Sequence, residues 1–291
     1  MGGGLMDYPH PMPDPVVTKA LIPAAGWGTR FLPATKAVPK EMLPVVDRPV
    51  IQYVVEEAVA AGITDIGIII SSGKEAIPRH FSRDPALERW LEEGGKNEAL
   101  ASVRRLHSLA NIHYIPQHDM LGLGHAVLQG RSFIGAAPFA VLLGDTILHG
   151  AAGASVTGQL VEAFAAHQAP VVACEPVARE RVSRYGVLDA TPLGDGLHQV
   201  TGLVEKPRPE EAPSNLVIAS RYLFTPDIFP ALERTGRGHG GEIQLTDAMA
   251  ALAAKRRFLG CEIKGRRLDV GHPRGLLEAC QVLMGDEKVV S

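Results

Sequence analysis

The sequence predicts an α/β protein built on a mostly parallel, mixed β-sheet that is flanked by helices. Strand-like and helix-like segments alternate from residue 19 onward, which is typical of a parallel sheet with helical crossovers. The run Ile-Gly-Ile-Ile-Ile at 66–70 is apolar throughout, as in a strand that is covered on both faces. A chain of 291 residues, 46% of them hydrophobic, can bury a large core in one big domain or two smaller ones.

The charge and cysteine content argue against several classes of protein. The formal net charge is −3 and the sequence pI is about 6.4, which does not favour a general attraction to nucleic acid. Cys174, Cys261 and Cys280 are dispersed and form no C-x-x-C pair, so we expect a reducing compartment and neither a disulfide framework nor a zinc site. No apolar run is as long as a membrane span, and the N-terminus lacks a signal-peptide pattern. We therefore predict a flexible lead-in at 1–18 and a cytoplasmic location.

The first elements form a strand, loop, helix and strand. A strand is predicted at 19–23, and the helix that follows begins at Pro49, since proline suits a first helical position, and ends at Gly62. A second strand at 63–70 completes a right-handed crossover unit.

The alternation continues with a helical stretch at 85–109, which is interrupted at Gly94 and Gly95. Its expected inward-facing residues are Leu87, Trp90, Leu91, Leu100, Val103 and Leu106. Strands are then predicted at 112–115, 139–143 and 170–174, and helices from residue 126 and at 157–166.

The pattern changes after residue 175. Residues 185–189 and 198–205 alternate and are separated by turn residues, which predicts an antiparallel hairpin. Further strands are predicted at 216–224, 258–263 and 267–270, and further helices from residue 226, at 242–254 and at 273–284. No linker is long enough to separate independent domains, so we predict a single domain at 19–291 with halves at 19–175 and 176–291.

The loop after the first strand has features of a phosphate site. Gly26 and Gly28 let the backbone turn tightly and approach a ligand closely. Arg30, Lys36 and Lys40 follow, and exposed amide groups with nearby cations suit a polyphosphate. The spacing is neither G-x-G-x-x-G, because a phenylalanine occupies the third glycine position, nor a P-loop. A tight strand-to-helix turn with solvated cations fits the same residues.

Polar residues also follow other strands whose carboxyl ends should meet at one edge of the sheet. Gln117 and Gly122 could present an amide and an open backbone to a nucleobase, or form an ordinary polar loop. Asp145 ends the strand predicted at 139–143. It suits Mg²⁺, which takes one or two carboxylates with phosphates and waters, but a turn or helix-capping aspartate is also possible.

Three positions in the second half are further candidates. Glu205 and Lys206 suit contacts to sugar hydroxyls and to a phosphate, or they form a surface ion pair. Asp269 is either a second metal ligand or a turn residue. The 11 histidines form no zinc-binding motif and no G-x-S-x-G elbow is present, so neither a zinc enzyme nor a serine hydrolase is predicted.

Two motifs resemble those of the sugar-1-phosphate nucleotidylyltransferases. They are PAAGWGTRFLPATKAVPKEMLP at 23–44 and GEIQLTDA at 241–248. The resemblance extends over residues 19–283 and implies a Rossmann-like sheet of the nucleotide-diphospho-sugar transferase type, with a nucleotide-binding first half and a sugar-binding second half. The motifs at 40–44 and 122–126, together with the helical insertion at 85–109, resemble the uridylyl-transferring branch.

The resemblance implies a role for each matching residue. The nucleotide would be cradled by Ala24, Ala25, Gly26, Gly28, Thr29 and Arg30, with Arg30 on the triphosphate. Gln117 and Gly122 would read the uracil, Gly186 and Glu205 would contact glucose, and Lys206 would contact its phosphate. Asp145 and Asp269 would bind Mg²⁺, and the catalytic residues would be Arg30, Lys40, Asp145 and Lys206. One departure is that Asp145 is followed by Thr146, where some relatives carry a second acid.

The implied reaction converts UTP and α-D-glucose 1-phosphate into UDP-glucose and pyrophosphate. The sugar phosphate would attack the α-phosphorus in line with the departing pyrophosphate, and no general base is required because the nucleophile is already ionised. The resemblance also implies a homodimer or homotetramer, without a nucleic-acid or membrane partner. A dTTP-dependent thymidylyltransferase is the alternative. A dinucleotide-binding oxidoreductase is a more distant alternative, but this sequence lacks the third glycine of that motif. A catalytically silent relative would have lost at least one of the four catalytic residues, and all four are present.

Overall fold

A computed structural model describes residues 17–150 and 155–286 of the chain. The lead-in that we predict at 1–18 lies outside these described residues except for its last two positions.

The described segments contain strands and α-helices that alternate over most of the chain. The strands are β1 (Lys19–Pro23), β2 (Pro44–Val45), β3 (Arg48–Pro49), β4 (Asp65–Ile70), β5 (Asn111–Pro116), β6 (Phe139–Leu142), β7 (Thr146–Gly150), β8 (Val171–Pro176), β9 (Gly186–Gly194), β10 (Leu197–Glu205), β11 (Leu216–Phe224), β12 (Leu259–Glu262) and β13 (Gly265–Asp269). The helices are α1 (Val50–Ala60), α2 (Ala76–Phe81), α3 (Pro85–Glu93), α4 (Asn97–Leu106), α5 (Leu123–Gln129), α6 (Arg131–Ile134), α7 (Val156–His167), α8 (Ile228–Arg234), α9 (Leu245–Ala253) and α10 (Pro273–Asp286).

One nine-stranded sheet carries the fold, in the order β5-β4-β1-β6-β11-β8-β12-β10-β9. The first four strands in this order run parallel, and β11 is antiparallel to both of its neighbours. β8 and β12 are parallel again, and β9 and β10 form the predicted antiparallel hairpin. β9 also pairs with β11 at Val187 and Val217, so the part of the sheet from β11 to β9 is curved until its two ends meet. The predicted α/β class with a mixed sheet is confirmed.

Helices pack on both faces of the sheet. In β1, Leu21 belongs to a core cluster with residues of α5, α8 and α9, whereas Ala20 and Ile22 belong to a cluster with residues of α1 and α2. Successive side chains of a strand point to opposite faces, and both faces of β1 are therefore apolar and buried. None of the helices in the described segments is both long and apolar enough to cross a membrane.

The helical insertion is present, but its inward face differs from the prediction. Leu87 and Trp90 are 39% and 57% exposed, so the prediction that they face inward is wrong. Glu88 is buried in their place, whereas Leu91 of α3 and Leu100 of α4 are buried as predicted. The Glu88 carboxylate accepts hydrogen bonds from Arg83 and Arg104, which allows this acid to lie on the buried side of α3.

The segment after Asp145 forms a strand that the sequence did not predict. β7 pairs antiparallel with β13, and Thr146 lies opposite Asp269 in this ladder. Asp145, immediately before β7, and Asp269, at the end of β13, are therefore brought close together by the pairing of these strands. The short helices α2 and α6 were also not predicted, and Pro49 lies just before α1 rather than in its first turn.

Candidate active site

The carboxyl ends of the parallel strands open onto a cavity of about 440 Å³. β1, β4, β5 and β6 point in one direction, so the loops that follow them meet at one edge of the sheet. The lining residues are Pro23, Ala25, Gly26, Trp27, Gly28, Thr29, Lys40, Glu41, Gln117, Met120, Gly122, Leu123, Ala126, Leu143, Asp145 and Glu242. Most of the predicted nucleotide-binding residues are thus brought together. Ala24 lies just beneath, where its amide donates to the Ile69 carbonyl, and Arg30 lies outside the lining.

The glycine loop is shaped by the close approach of the chain that carries Lys40. Gly28 has a φ of +66°, a conformation that favours glycine. A Cβ at Gly28 would lie 3.1 Å from the Cβ of Lys40, and the Thr35 hydroxyl donates to the Gly28 carbonyl at 2.8 Å. Gly28 therefore meets both demands at this position, a left-handed backbone and close contact with the segment that delivers Lys40.

Gln117 and Gly122 also line the cavity. Gln117 is buried, and its Nε2 lies 2.9 Å from Nδ1 of His125, which fixes the plane of the amide. Gly122 has a φ of +102°, and a Cβ there would lie 2.6 Å from the Cβ of Glu242. An oriented amide beside a glycine backbone is a suitable surface for the polar edge of a nucleobase.

Lys40 and Asp145 form an ion pair at the floor of the cavity, with Lys40 Nζ 2.6 Å from Asp145 Oδ2. Burial favours a lower pKa for Lys40, but the carboxylates of Asp145 and Glu41 outweigh it and raise that pKa above its usual value. Burial likewise favours a higher pKa for Asp145, but Lys40 outweighs it and holds that pKa below its usual value. Both side chains are therefore charged at neutral pH.

The carboxylates of Asp145 and Asp269 both lie close to Gly271. Asp145 Oδ2 and Asp269 Oδ1 are each 3.2 Å from the point where a Cβ of residue 271 would lie, and Arg30 Nη1 is 3.5 Å from it. Arg30 also donates to the Gly271 carbonyl at 3.5 Å. Two carboxylates and a guanidinium thus surround a space that only glycine leaves open.

This donor set suits a divalent cation that is shared with phosphates. Among the residues that the structure describes, no group of three or more His, Cys, Asp or Glu side chains could hold a metal ion by itself. Mg²⁺ commonly takes one or two carboxylates and completes its coordination with substrate phosphates and water. The pair of Asp145 and Asp269 matches that requirement.

The predicted sugar-binding residues form a second cluster, outside the lining of the nucleotide-sized cavity. Thr246, at the start of α9, donates to Glu205 Oε2 at 2.6 Å, and Lys206 Nζ lies 3.3 Å from Glu205 Oε1. A Cβ at Gly186 would lie 3.3 Å from Glu205 Oε2 and 3.1 Å from the Thr246 hydroxyl. The nearest atom to that point is Ile218 Cδ1, at 2.7 Å, so Gly186 lets β9 pass close to the carboxylate where a side chain would clash.

Several residues of the site were missed in the sequence analysis. Lys74, 5% exposed, bonds both to the Gly26 carbonyl and to the Glu41 carboxylate. Arg221 is fully buried in β11 and donates to the carbonyls of Leu143 and Thr146, on either side of Asp145. Lys74 follows strand β4, so the rule that strand-end loops converge could have identified it. No local pattern marks Arg221, which is the sixth residue of a nine-residue strand.

Comparisons with known proteins show the family to which the chain belongs. Residues 19–284 match the family described as nucleotidyl transferase. A UTP–glucose-1-phosphate uridylyltransferase of Bacillus subtilis is 50% identical over 263 residues, which cover 90% of this chain and 89% of that protein. A protein of the same name from Pseudomonas aeruginosa is 46% identical over 264 residues, covering 91% and 95% of the two chains.

Solved structures extend the comparison to the fold. A UDP-glucose pyrophosphorylase complexed with UDP-glucose is 41% identical, with a TM-score of 0.86 and coverage of 93% of this chain and 99% of that one. A UTP-bound UGPase from Acinetobacter baumannii is 36% identical, with a TM-score of 0.86 and coverage of 94% and 98%. A putative glucose-1-phosphate thymidylyltransferase from Bacillus anthracis is 23% identical over 91% of this chain and 94% of that one, with a TM-score of 0.70, and shares the fold.

Proposed function

The chain belongs to the nucleotidyl transferase family, and we propose that it transfers the uridylyl group of UTP to α-D-glucose 1-phosphate, giving UDP-glucose and pyrophosphate. The observation that carries this proposal is the meeting of Arg30, Lys40, Asp145 and Asp269 beside a cavity that the buried amide of Gln117 also lines. This arrangement suits a nucleoside triphosphate, with the base at Gln117 and the phosphates at the charged end.

The chemistry requires the neutralisation of charge and the alignment of two anions. The phosphate of glucose 1-phosphate is ionised at neutral pH and can attack the α-phosphorus directly, without a general base. In the proposed roles, Arg30 binds the departing pyrophosphate and Lys40 binds the phosphoryl group under attack. Gln117 and Gly122 contact the uracil, and Ala24, Ala25, Gly26, Gly28 and Thr29 cradle the nucleotide. Fixed cations of this kind stabilise the charge that develops in the transition state.

The sugar phosphate is assigned to the cluster of Gly186, Glu205 and Lys206, outside the lining of the cavity. Glu205, held by Thr246, accepts hydrogen bonds from glucose hydroxyls beside Gly186, and the ammonium of Lys206 binds the phosphate. Lys206 has a φ of +47°, and its amide donates to the Tyr185 carbonyl at 3.0 Å, so its backbone is fixed within the hairpin.

We assign the metal to Asp145 and Asp269 and propose that it is Mg²⁺. When bound, it would neutralise charge on the phosphates of the nucleotide. The ion pair with Lys40 keeps Asp145 ionised, and the Gly271 amide donates to Asp269 Oδ1 at 3.1 Å, so both carboxylates are oriented by the chain itself.

Release of pyrophosphate in the presence of glucose 1-phosphate and Mg²⁺ tests the proposal, with UTP, dTTP, ATP, CTP and GTP supplied separately. We expect UTP to give the highest kcat/KM. A higher value for dTTP would support the thymidylyl alternative, and no release with any nucleotide would overturn the proposal. The family match removes the ground for a dinucleotide-binding oxidoreductase.

Three further properties stay predictions. The sheet is continuous from β5 to β9, which supports a single domain from residue 19 onward with two substrate-binding halves. A homodimer or homotetramer is testable by light scattering of the purified chain. The cytoplasmic location is testable by fractionation of cells.

A further inference from the structure

Two consecutive carbonyl groups of the loop after β1 (residues 24–29, here the nucleotide loop) accept hydrogen bonds from side chains that follow β4. The Ser71 hydroxyl donates to the Ala25 carbonyl at 2.7 Å, and Lys74 Nζ donates to the Gly26 carbonyl at 2.7 Å. Both donors follow strand β4 and neither lines the cavity, whereas Ala25 and Gly26 do. The two carbonyls are therefore directed away from the cavity.

The planarity of the peptide bond determines where the amide groups point. In a trans peptide the N–H is directed opposite to the C=O that precedes it. Fixing the carbonyls of Ala25 and Gly26 thus turns the amides of Gly26 and Trp27 toward the cavity. Within the described segments, the amides of Gly26, Trp27, Gly28 and Thr29 have no hydrogen-bond acceptor. Successive free amides of this kind form a concave site for an anion.

The same lysine also supports the segment that carries Lys40. Lys74 Nζ lies 2.7 Å from Glu41 Oε2, and the Glu41 side chain is 1% exposed. The other oxygen of Glu41 accepts no hydrogen bond from the described residues, so this carboxylate depends on Lys74. Lys74 therefore connects the nucleotide loop to the residue next to Lys40.

We propose that Lys74, assisted by Ser71, is a positioning residue that orients the amides of the nucleotide loop toward the triphosphate. The proposal rests on the proposed function. Lys74 does not touch the substrate in this role, because its ammonium is buried and donates to the Gly26 carbonyl and to Glu41. Its loss should weaken nucleotide binding and leave the sugar-phosphate site unchanged.

A purely structural role for the buried pair must be separated from this positioning role. Lys74→Met alone leaves the Glu41 carboxylate buried and unpaired, and we expect it to lower the melting temperature. The double variant Lys74→Met with Glu41→Gln removes both charges and should recover much of that loss. It still lacks the donor to Gly26, so its affinity for UTP should remain low. Ser71→Ala removes the neighbouring donor without changing any charge.

Binding can be followed by fluorescence, because Trp27 lies in the loop and the chain has only 2 tryptophans. Trp90→Phe, at the exposed position on α3, leaves Trp27 as the single reporter and serves as the reference protein. Lys19→Met is the matched control, since Lys19 donates to the Phe133 carbonyl at 2.7 Å at the opposite end of β1.

Titration with UTP should show a Kd raised roughly tenfold in the double variant and less in Ser71→Ala, about 1.4 kcal/mol for a factor of ten. The KM for glucose 1-phosphate and the Kd of the Lys19→Met control should stay within about twofold of the reference. A double variant that binds UTP as tightly as the reference overturns the positioning role. A reference protein that binds UTP but yields no UDP-glucose overturns the proposed function instead, so the two failures are distinguishable.

Discussion

Lys40 Nζ lies 2.6 Å from Oδ2 of Asp145, although the two residues are 105 positions apart in the chain. Lys40 belongs to the segment after the nucleotide loop, and Asp145 lies between strands β6 and β7. The cation that we assign to a phosphate and the carboxylate that we assign to the metal are thus held in contact, and the pKa of each depends on the other.

Asp145→Asn should lower turnover far more than it lowers stability. Asparagine has nearly the same shape as aspartate, but it carries no charge for a divalent cation or for Lys40. We expect kcat to fall by roughly 10²-fold or more, with a melting curve close to that of the wild type. Asp195→Asn, at the exposed hairpin turn, is the matched control. Wild-type turnover in Asp145→Asn with an unchanged melting curve would contradict the metal role.

Gly271→Ala should raise the concentration of Mg²⁺ that is needed for activity. The added Cβ would lie 3.2 Å from both carboxylate oxygens, in the space between Asp145 and Asp269. The effect is measured by the activity of Gly271→Ala and of the wild type as a function of the Mg²⁺ concentration. Gly236→Ala is the control, because a Cβ there has no neighbour within 4 Å and should leave the curve unchanged. Equal Mg²⁺ requirements for Gly271→Ala and the wild type would argue against metal binding beside this glycine.

Lys206→Ala should mainly raise the KM for glucose 1-phosphate. Its ammonium, 3.3 Å from Glu205, is the cation assigned to the sugar phosphate. Steady-state kinetics with each substrate varied in turn should show a much smaller change in the KM for UTP. Lys255→Ala, at an exposed lysine beyond α9, controls for the loss of a surface charge. If saturation by glucose 1-phosphate is unchanged in Lys206→Ala, the assignment is wrong.

Arg221→Met should destabilise the fold strongly. Arg221 donates two hydrogen bonds to Glu57 Oε2, at 3.1 Å from Nε and 2.6 Å from Nη2, and the pair is almost fully buried. Removing one partner of a buried pair typically costs about 3–5 kcal/mol, because the other charge is left unpaired. Urea unfolding should show this loss, and Arg221→Met combined with Glu57→Gln should be less destabilised than the single variant. Equal stability of the single variant and the wild type would show that the pair is not needed.

The stability of the protein should fall on acidification partly because of His80. Burial lowers the pKa of His80 below its usual value of 6.5, so the unfolded chain binds this proton more tightly than the folded one. The contribution of neutral His80 to stability is fully present above pH 6.5 and is lost as the pH falls through the lower pKa of the folded state. Urea unfolding between about pH 7.5 and about pH 5.5 should show a smaller loss for His80→Gln than for the wild type. Parallel pH curves for the two proteins would exclude this contribution.

The sequence predicted the residues that lie at strand ends. Gly26, Gln117 and Asp145 each follow a predicted strand, and the parallel order of those strands brings them to one cavity. At these positions the local sequence pattern and the order of the strands predict the same location for each residue. The link between Asp145 and Asp269 is implied by the family resemblance alone. Local pattern could not predict it, because it depends on the pairing of β7 with β13, which are more than 100 residues apart.

Buried charged residues account for most of what the sequence did not predict. Lys74, Glu41 and Arg221 would normally be assigned to the surface, since burial of a charge is costly without a partner. Each has its partner on a distant segment. The same cause explains the error in α3, where Glu88 takes the inward position because Arg83 and Arg104 bind it.

Strand β11 comes from the second half of the chain but is hydrogen-bonded along β6 of the first half. A fragment ending near residue 175 would leave that side of β6 without a partner, in the middle of an apolar sheet. An unpaired edge of this kind recruits strands from other molecules, so the fragment should aggregate and not behave as a separate nucleotide-binding module. The two halves therefore have to be produced, exchanged or redesigned as one cooperative unit.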